Sequence, residues 1–345
     1  MSARKTDWSL VADQLAQRVP RSKLHEAVVD WVEKTPVRTP WAVAFSGGAD
    51  SLALLLLLWA HWPERRLRLK VLHFNHRLRG LAANGDEAFC KSVCKGLGLS
   101  CTAGRWADAG KKASEADARN ARFGFFQQAM QPSRTWALWL GHHQDDVIET
   151  MLMRLARGSG TGGLAAPRPV QRMTGRRVHL RPLLALKKAE IMAVLRESGA
   201  IWRLDSSNAG SAYLRNRLRR SVVPAWKRAA GDRDVLAGVA RARELLEEDD
   251  QALETWIDEL QLMAADGRLN LNRLAGKPRG VMRRALHRWL LALREPVDIS
   301  RQAFKALLES IEKGKDVRHS LSNKGFAVIR SGRLGFEAGF RARSK

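Results

Sequence analysis

Val43-Ala44-Phe45-Ser46-Gly47-Gly48-Ala49-Asp50-Ser51 runs straight into Leu52-Ala53-Leu54-Leu55-Leu56-Leu57-Leu58-Trp59. An apolar strand, a turn of two glycines between two serines, and an apolar helix beginning at the acidic residue follow one another without a linker. Adjacent glycines let the backbone turn so that several N–H groups face one small space, and the helix behind them adds the positive end of its dipole. Such a loop is built to hold phosphate. It lacks the lysine of a Walker A loop, so phosphate charge falls to the N–H groups, the hydroxyls of Ser46 and Ser51, and a metal held by Asp50. The competing reading is an ordinary Gly-Gly turn between a strand and a helix.

The chain around this loop has 345 residues, enough for two domains of ordinary size. Its longest uninterrupted apolar run, Leu52 to Ala60, falls far below the ~20 residues that a membrane-spanning helix needs. No secretory signal pattern is visible at the start, so no membrane partner is expected. Sixty Lys and Arg against thirty-five Asp and Glu give a net charge of +25, which favours a polyanionic partner, nucleic acid first. Cys90, Cys94 and Cys101 form neither a C-x-x-C pair nor an even disulfide set. They fit packing roles in a reducing, cytoplasmic setting.

Spacing predicts helices over 7–18 and 23–34, a strand at 41–46, the apolar helix from Asp50, and a second strand at 67–74. Strand-helix-strand in about thirty residues is the unit of a parallel sheet. In an open parallel sheet, ligands sit beyond the carboxyl ends of the strands, so His73, His76, Arg77 and Arg79 face the same crevice as the Gly-Gly loop. A helix over 83–98 and a strand over 99–106 follow. Ser114 then caps a helix in which Glu115 and Arg119 stand four apart, as a surface ion pair or as a phosphate-facing stripe continued by Arg122.

A fourth strand, 135–140, delivers Gly141-His142-His143-Gln144-Asp145-Asp146-Val147-Ile148-Glu149 to the crevice. If a helix begins near Gln144, the carboxylates of Asp145, Asp146 and Glu149 share a face. They could hold Mg²⁺ on ATP, bind a substrate ammonium, or serve an attacking amine as general base. A glycine-rich stretch, 157–163, is expected to be a flexible loop beside the site. Arg168, Arg172, Arg176, Arg177 and Arg181 form the first candidate for RNA backbone contact. Another helix, 187–198, precedes Asp205-Ser206-Ser207-Asn208 and Tyr213-Leu214-Arg215-Asn216, where Arg215 and Arg219 share a helix face. Beyond Pro224 an acidic helical pattern, 241–262, should face away from a polyanion. Two more helices and short alternating strands, 318–336, complete the chain. The expected division is residues 1–224, a nucleotide-binding catalytic domain, and 225–345, a mainly helical domain that grips RNA.

The loop Ser46 to Ser51 resembles that of the N-type ATP pyrophosphatases, which split ATP between the α and β phosphates and leave an adenylate. Taken with His73 to Arg79, Glu115 to Arg122, His142 to Thr150, Arg154 to Gly163 and Trp202 to Pro224, in that order, the chain resembles the tRNA(Ile)-lysidine synthases over roughly residues 40–224. Arg77 departs from a position where glycine is common there, and Leu140 from one where a small or hydroxylated residue is common. The resemblance implies an open α/β parallel sheet with helices on both faces, plus a mainly helical second domain. It also implies ATP and Mg²⁺ as cofactors, and as substrates free L-lysine and a tRNA(Ile) with a CAU anticodon. The wobble cytidine would be adenylated at C2, and the lysine ε-amine would then displace AMP.

Residue by residue, the resemblance puts Ser46, Gly47, Gly48, Ala49, Asp50 and Ser51 in the pyrophosphate loop. His76 and Arg119 fall near ATP or the adenylate. Asp146, Glu149 and Arg215 bind lysine and serve the chemistry with Asp50, while Asp50 and Asp145 hold the metal. A homodimer is compatible with it. Two other readings are a tRNA thiolase of the same superfamily and an RNA-binding protein with an inert nucleotide domain. Cys90-x-x-x-Cys94 has the wrong spacing for the first, and the presence of Asp50, Asp146 and Glu149 argues against the second.

Overall fold

The computed structural model describes residues 6–76, 81–106, 114–204, 214–293, 297, 299–321 and 325–339; the side chains of 81–83 and 115 are not among them. The chain forms two compact units, Met1–Glu247 and Glu248–Lys345.

In the first unit, α1 (Trp8–Arg18) and α2 (Glu26–Glu33) precede β1 (Trp41–Ala44), α3 (Ala49–His61), β2 (Leu69–Asn75), α4 (Leu81–Gly96) and β3 (Cys101–Arg105). Then come α5 (Glu115–Met130), β4 (Ala137–Trp139), α6 (Gln144–Leu155), α7 (Thr161–Leu164), β5 (Val170–Arg172), β6 (Val178–Leu180) and α8 (Lys188–Glu197). The helices α9 (Leu214–Arg217), α10 (Val223–Ala229) and α11 (Val235–Glu259) follow, and α11 runs across the division between the units.

The six strands lie in the order β3-β2-β1-β4-β6-β5. All pairs are parallel except the edge pair β5–β6. Alternate residues go to opposite faces, as the pleat requires. Trp41, Val43 and Phe45 enter one core with α1, α3, α4 and α8, while Ala42, Leu72, Leu138 and Leu140 meet Phe126 and Met130 of α5 on the other. The expected open α/β sheet with helices on both faces is therefore present.

α3 explains its own composition. A helix covered on one side only would alternate apolar and polar faces. Every residue from Ser51 to Trp59 is instead buried, because the sheet covers one side of α3 and its neighbours α1 and α8 the others.

Several local expectations change. Residue 67 does not begin β2: Pro63–Arg68 form a 3₁₀ turn, and Leu67 is 98% exposed. The stretch 157–163 is not all loop, since Thr161 starts α7. The arginines of 168–181 belong to the β5–β6 hairpin, and Arg181 is buried rather than open to a polyanion. Its guanidinium donates to the Arg168 carbonyl at 2.7 Å, to Gln171 Oε1 at 2.9 Å and to His142 Nδ1 at 3.2 Å.

The second unit holds the end of α11, α12 (Arg279–Ala292) and α13 (Arg301–Glu312). It also holds a four-stranded antiparallel sheet in the order β7 (Leu269–Asn270), β10 (Arg333–Ala338), β9 (Gly325–Arg330), β8 (Val317–Ser320). Ser331 and Gly332, both at positive φ, make the type I′ turn between β9 and β10. Acids of α11 are taken up internally. Arg284 pairs with Asp250 and, at 2.8 Å, with Glu254, and Arg288 meets Asp258 at 2.5 Å. Among the described residues no helix is long and apolar enough to cross a membrane.

Leu55 is fully buried at the centre of α3. Leu55→Ala should destabilise the first unit by about 2–5 kcal/mol, read as a lower urea midpoint with an unchanged slope.

Candidate functional site

The sheet order reverses between β1 and β4, whose chain-forward connections leave in opposite directions, and that is where an open α/β sheet has its crevice. Two segments leave β1 and β4 there. The first is the Ser46–Ser51 loop. Gly47 sits at φ +89°, where a side chain would be strained and would also press on Cys90 and Phe89. The Ser46 N–H donates to Ser51 Oγ at 3.1 Å, the two hydroxyls lie 3.0 Å apart, and Ser51 Oγ donates to the Gly48 carbonyl at 3.0 Å. The serines thus brace the turn from inside, while the first N–H groups of α3 receive no side-chain cap.

The second segment is Gly141-His142-His143. A Cβ on Gly141 would lie 2.9 Å from the Asp50 carbonyl oxygen and 3.2 Å from Ser51 Cα. Only glycine lets the end of β4 approach the phosphate loop this closely. The sequence marked Gly141 merely as the residue before the histidines.

α6 then starts where the spacing placed it, at Gln144, with Asp146 Oδ2 accepting the His143 N–H at 3.0 Å. Asp146 and Glu149 are both buried and share one face. Arg215 of α9 reaches both, donating from Nη2 to Asp146 Oδ1 at 2.6 Å and from Nε to Glu149 Oε2 at 2.7 Å. Arg219, one turn on, donates to both oxygens of Glu149 at 2.5 and 3.0 Å. Asp146, Glu149 and Arg215 are therefore in direct contact, and Arg219 joins them as a full member.

His143 ties this cluster to the loop. Its side chain is almost wholly enclosed, with Nε2 3.5 Å from Asp50 and 3.4 Å from Asp146, and Nδ1 3.5 Å from Asp145. Burial alone would discharge the imidazole, but the three carboxylates outweigh it and raise its pKa from 6.5 to about 10. Burial works against ionisation of Asp145 as well, yet His143 and the Lys188 N–H hold it at about 2. Desolvation pushes the pKa of His142 well below its ordinary value. Lys188, at the start of α8, completes the set: its Nζ lies 3.1 Å from Asp50 Oδ2, and its backbone N–H donates to Asp145 Oδ2 at 2.9 Å. Neither His143 as a bridge nor Lys188 as a member of the site was legible in the sequence. The available signal for Lys188 was a basic pair at a helix start, where the dipole disfavours it.

Beside the cluster lies a cavity of about 180 Å³ that shares Asp145, Glu149, Lys188 and Arg219 with it and adds Ile148, Val223, Pro224 and Lys227. Arg119 is exposed on α5, its guanidinium 4.7 Å from the Phe123 ring, and its charge bears on His142 and Arg181. His76 packs edge-on to Phe74 and Trp106 at the end of β2. Arg77, Leu78, Arg79, the 205–208 stretch, Tyr213 and the Glu115 side chain lie outside the described residues.

Fold and site together define a nucleotide-binding α/β protein with a phosphate loop at the sheet's switch point and an acidic cluster across from it. Residues 20–226 match the family model of the PP-loop domain, and the chain belongs to the PP-loop family. It is similar to the tRNA(Ile)-lysidine synthase of Geobacter sulfurreducens, with 37% identity over 76% of this chain and 56% of that one. It is likewise similar to the tRNA(Ile)-lysidine synthase of Bacillus subtilis, with 33% identity over 84% of this chain and 63% of that one. Among solved structures it is similar to a U34-tRNA thiolase from Methanococcus maripaludis, at 16% identity and TM-score 0.49, covering 69% of this chain and 78% of that one. The chain spans less than two thirds of the length of these curated relatives.

The raised pKa of His143 sets a sign for stability against pH in the metal-free protein. A proton bound more tightly in the folded state contributes stability that is complete below about pH 6.5 and is lost as pH rises through about 10. Between those limits the urea midpoint of the unmodified chain should fall more steeply than that of His143→Gln; parallel curves would show that His143 carries no such proton.

Proposed function

We propose that the chain is a tRNA(Ile)-lysidine synthase that modifies the wobble cytidine of a tRNA(Ile) with a CAU anticodon. One observation carries this reading. The acid of the phosphate loop, Asp50, and the Asp146–Glu149 pair share a single cleft, with His143 3.5 Å from Asp50 and 3.4 Å from Asp146. An adenylating loop and a site that can orient an amine are thus adjacent, as a two-step transfer to one base requires. The names of the curated relatives and the net charge of +25 support the same substrate.

In the first step the C2 oxygen of the cytidine attacks the α-phosphorus of ATP, the α–β anhydride bond breaks and pyrophosphate leaves. Ser46, Gly47, Gly48, Ala49, Asp50 and Ser51 receive the pyrophosphate end. Asp50 Oδ1 is buried without a hydrogen-bond partner, a hard oxygen donor suited to Mg²⁺ that arrives on nucleotide, since Mg²⁺ takes one or two carboxylates plus phosphate oxygens. Asp50, with Asp145 beside it, would hold the ion, whose charge would offset that of the phosphates. His76 and Arg119 belong on the nucleotide side of this reading.

In the second step the neutral ε-amine of free lysine attacks C2, the bond from C2 to the AMP oxygen breaks, and the amine loses its proton. Asp146, Glu149 and Arg215 orient the amino acid. Asp146 stays ionised because His143 and Arg215 outweigh its burial. The neighbouring cavity, lined by apolar Ile148, Val223 and Pro224 together with charged Asp145, Glu149, Lys188, Arg219 and Lys227, suits an aliphatic stem that carries polar termini. The thiolase reading has less support: Cys90 and Cys94 are core residues, 0% and 1% exposed, with their thiols pushed up, Cys90 by burial and Cys94 first by its contact with Cys101.

The full chain should incorporate labelled lysine into a CAU-anticodon tRNA only when ATP is present, releasing AMP and pyrophosphate in equal amounts. Sulfur transfer, or no incorporation, would overturn the reading. Asp50→Asn should slow adenylation about 10²-fold or more. Glu149→Gln should raise the KM for lysine at least about tenfold, with the KM for ATP nearly unchanged. Equal loss of ATP binding in both variants would remove this division of labour.

A further inference from the structure

The phosphate loop carries no cation: from Val43 to Ser51 its only charged side chain is Asp50, which by itself would repel an incoming triphosphate. We propose that Lys188 supplies the missing charge, binding the β- and γ-phosphates of ATP and holding the pyrophosphate as it leaves. The inference rests on the ATP reading above and is independent of the lysine and RNA readings.

Four observations carry it. The Lys188 ammonium lies 3.1 Å from Asp50 Oδ2 although the two residues stand 138 apart in sequence. Its backbone is pinned by Asp145, which accepts the Lys188 N–H at 2.9 Å, so the side chain springs from a fixed point. Of the cations that meet Asp50, Asp146 or Glu149, it is less committed than His143, Arg215 and Arg219. His143 is shared by three carboxylates and its side chain is 2% exposed, and Arg215 and Arg219 each contact Asp146 and Glu149. The Lys188 side chain is 35% exposed and, among the described residues, its ammonium pairs with Asp50, so it is accessible to a ligand in the cleft. Finally, α8 gains nothing from a lysine in its first turn, where the dipole opposes a positive charge; its N-terminal N–H groups are served by Asp145 and Glu190.

Chemically this is the service of a Walker A lysine, delivered from a different element. Without ligand, Asp50 and Lys188 neutralise one another. When phosphate enters, the ammonium turns to its oxygens, and Asp50 is released for the ion that accompanies the nucleotide. The loop N–H groups and Lys188 then grip the pyrophosphate from two sides. Lys227, whose Nζ lies 4.0 Å from Asp145 rather than beside Asp50, lines the same cavity and is the natural control.

Inorganic pyrophosphate titrated calorimetrically into the full chain, with and without Mg²⁺, is the direct probe. Lys188→Gln should weaken its binding about 10- to 100-fold under both conditions, the loss expected for one charge-assisted contact. Lys188→Arg should restore most of the affinity, and Lys227→Gln should leave it within about threefold of the unmodified chain. In turnover, Lys188→Gln should raise the KM for ATP by a larger factor than that for lysine. Lys188→Gln should also weaken pyrophosphate binding in an Asp50→Asn background; no further loss there would reduce Lys188 to orienting Asp50 and overturn the proposal. So would unchanged pyrophosphate binding in the single variant, or a raised KM for lysine in place of ATP. If the unmodified chain bound neither pyrophosphate nor ATP, the ATP reading itself would fall, and this inference with it.

Discussion

The structure depends on a balance of charge in a partly buried cleft. Asp50, Asp145, Asp146 and Glu149 converge on one cleft, and His143, Lys188, Arg215 and Arg219 meet them there. Four anions without those partners could not all remain ionised, because burial and mutual repulsion would protonate some of them. Each cation comes from a different turn of the chain: the end of β4, the start of α8, and two successive turns beginning at α9. The cluster therefore ties the whole first unit together, and removing one partner leaves an uncompensated charge, which costs more than the pair itself contributes.

Backbone features bring these groups within reach. Gly141 lets β4 approach the phosphate loop, and Asp146 caps its own helix so that Glu149 faces the same way. Between α9 and α10, residues Leu218–Val222 form a wider, π-type turn immediately before Pro224. Proline has no N–H to give and crowds the carbonyl four residues back, and a widened turn relieves both problems. The helical run thus continues past Pro224, carrying Val223 and Lys227 to the cavity after Arg215 and Arg219 have met the carboxylates.

Which of this was legible in the sequence follows from the range over which each signal acts. The strand–Gly-Gly–helix unit and the shared face of Asp146 and Glu149 are local, fixed by turn chemistry and helix period within ten residues, and the structure repeats both. The Arg215–Arg219 stripe is visible as a stripe, and only the resemblance joins Arg215 to Asp146 and Glu149, because the pairing spans about seventy positions. Lys188 was invisible for the same reason at twice the distance. Arg181 reads as solvated in the sequence because it stands in a basic run. Only the β5–β6 hairpin supplies the carbonyl and amide oxygens that let it be buried. In the second unit the short strands of 318–336 are legible but β7 is not, because it depends on pairing with β10, more than sixty residues away.

On the proposed reaction the same balance bears on reactivity. The attacking lysine amine must be uncharged, yet acids are the obvious way to attract it. Bare carboxylates would bind the ammonium and stabilise its proton, raising its pKa and suppressing the nucleophile. Here Arg215 and Arg219 already neutralise Asp146 and Glu149, so an entering ammonium joins a set with no excess negative charge. The carboxylates can still orient the amine by hydrogen bonds, while the guanidinium groups disfavour its charged form. The arginines thus do more than hold the acids in place: they make it easier for the bound amine to give up its proton before it attacks C2.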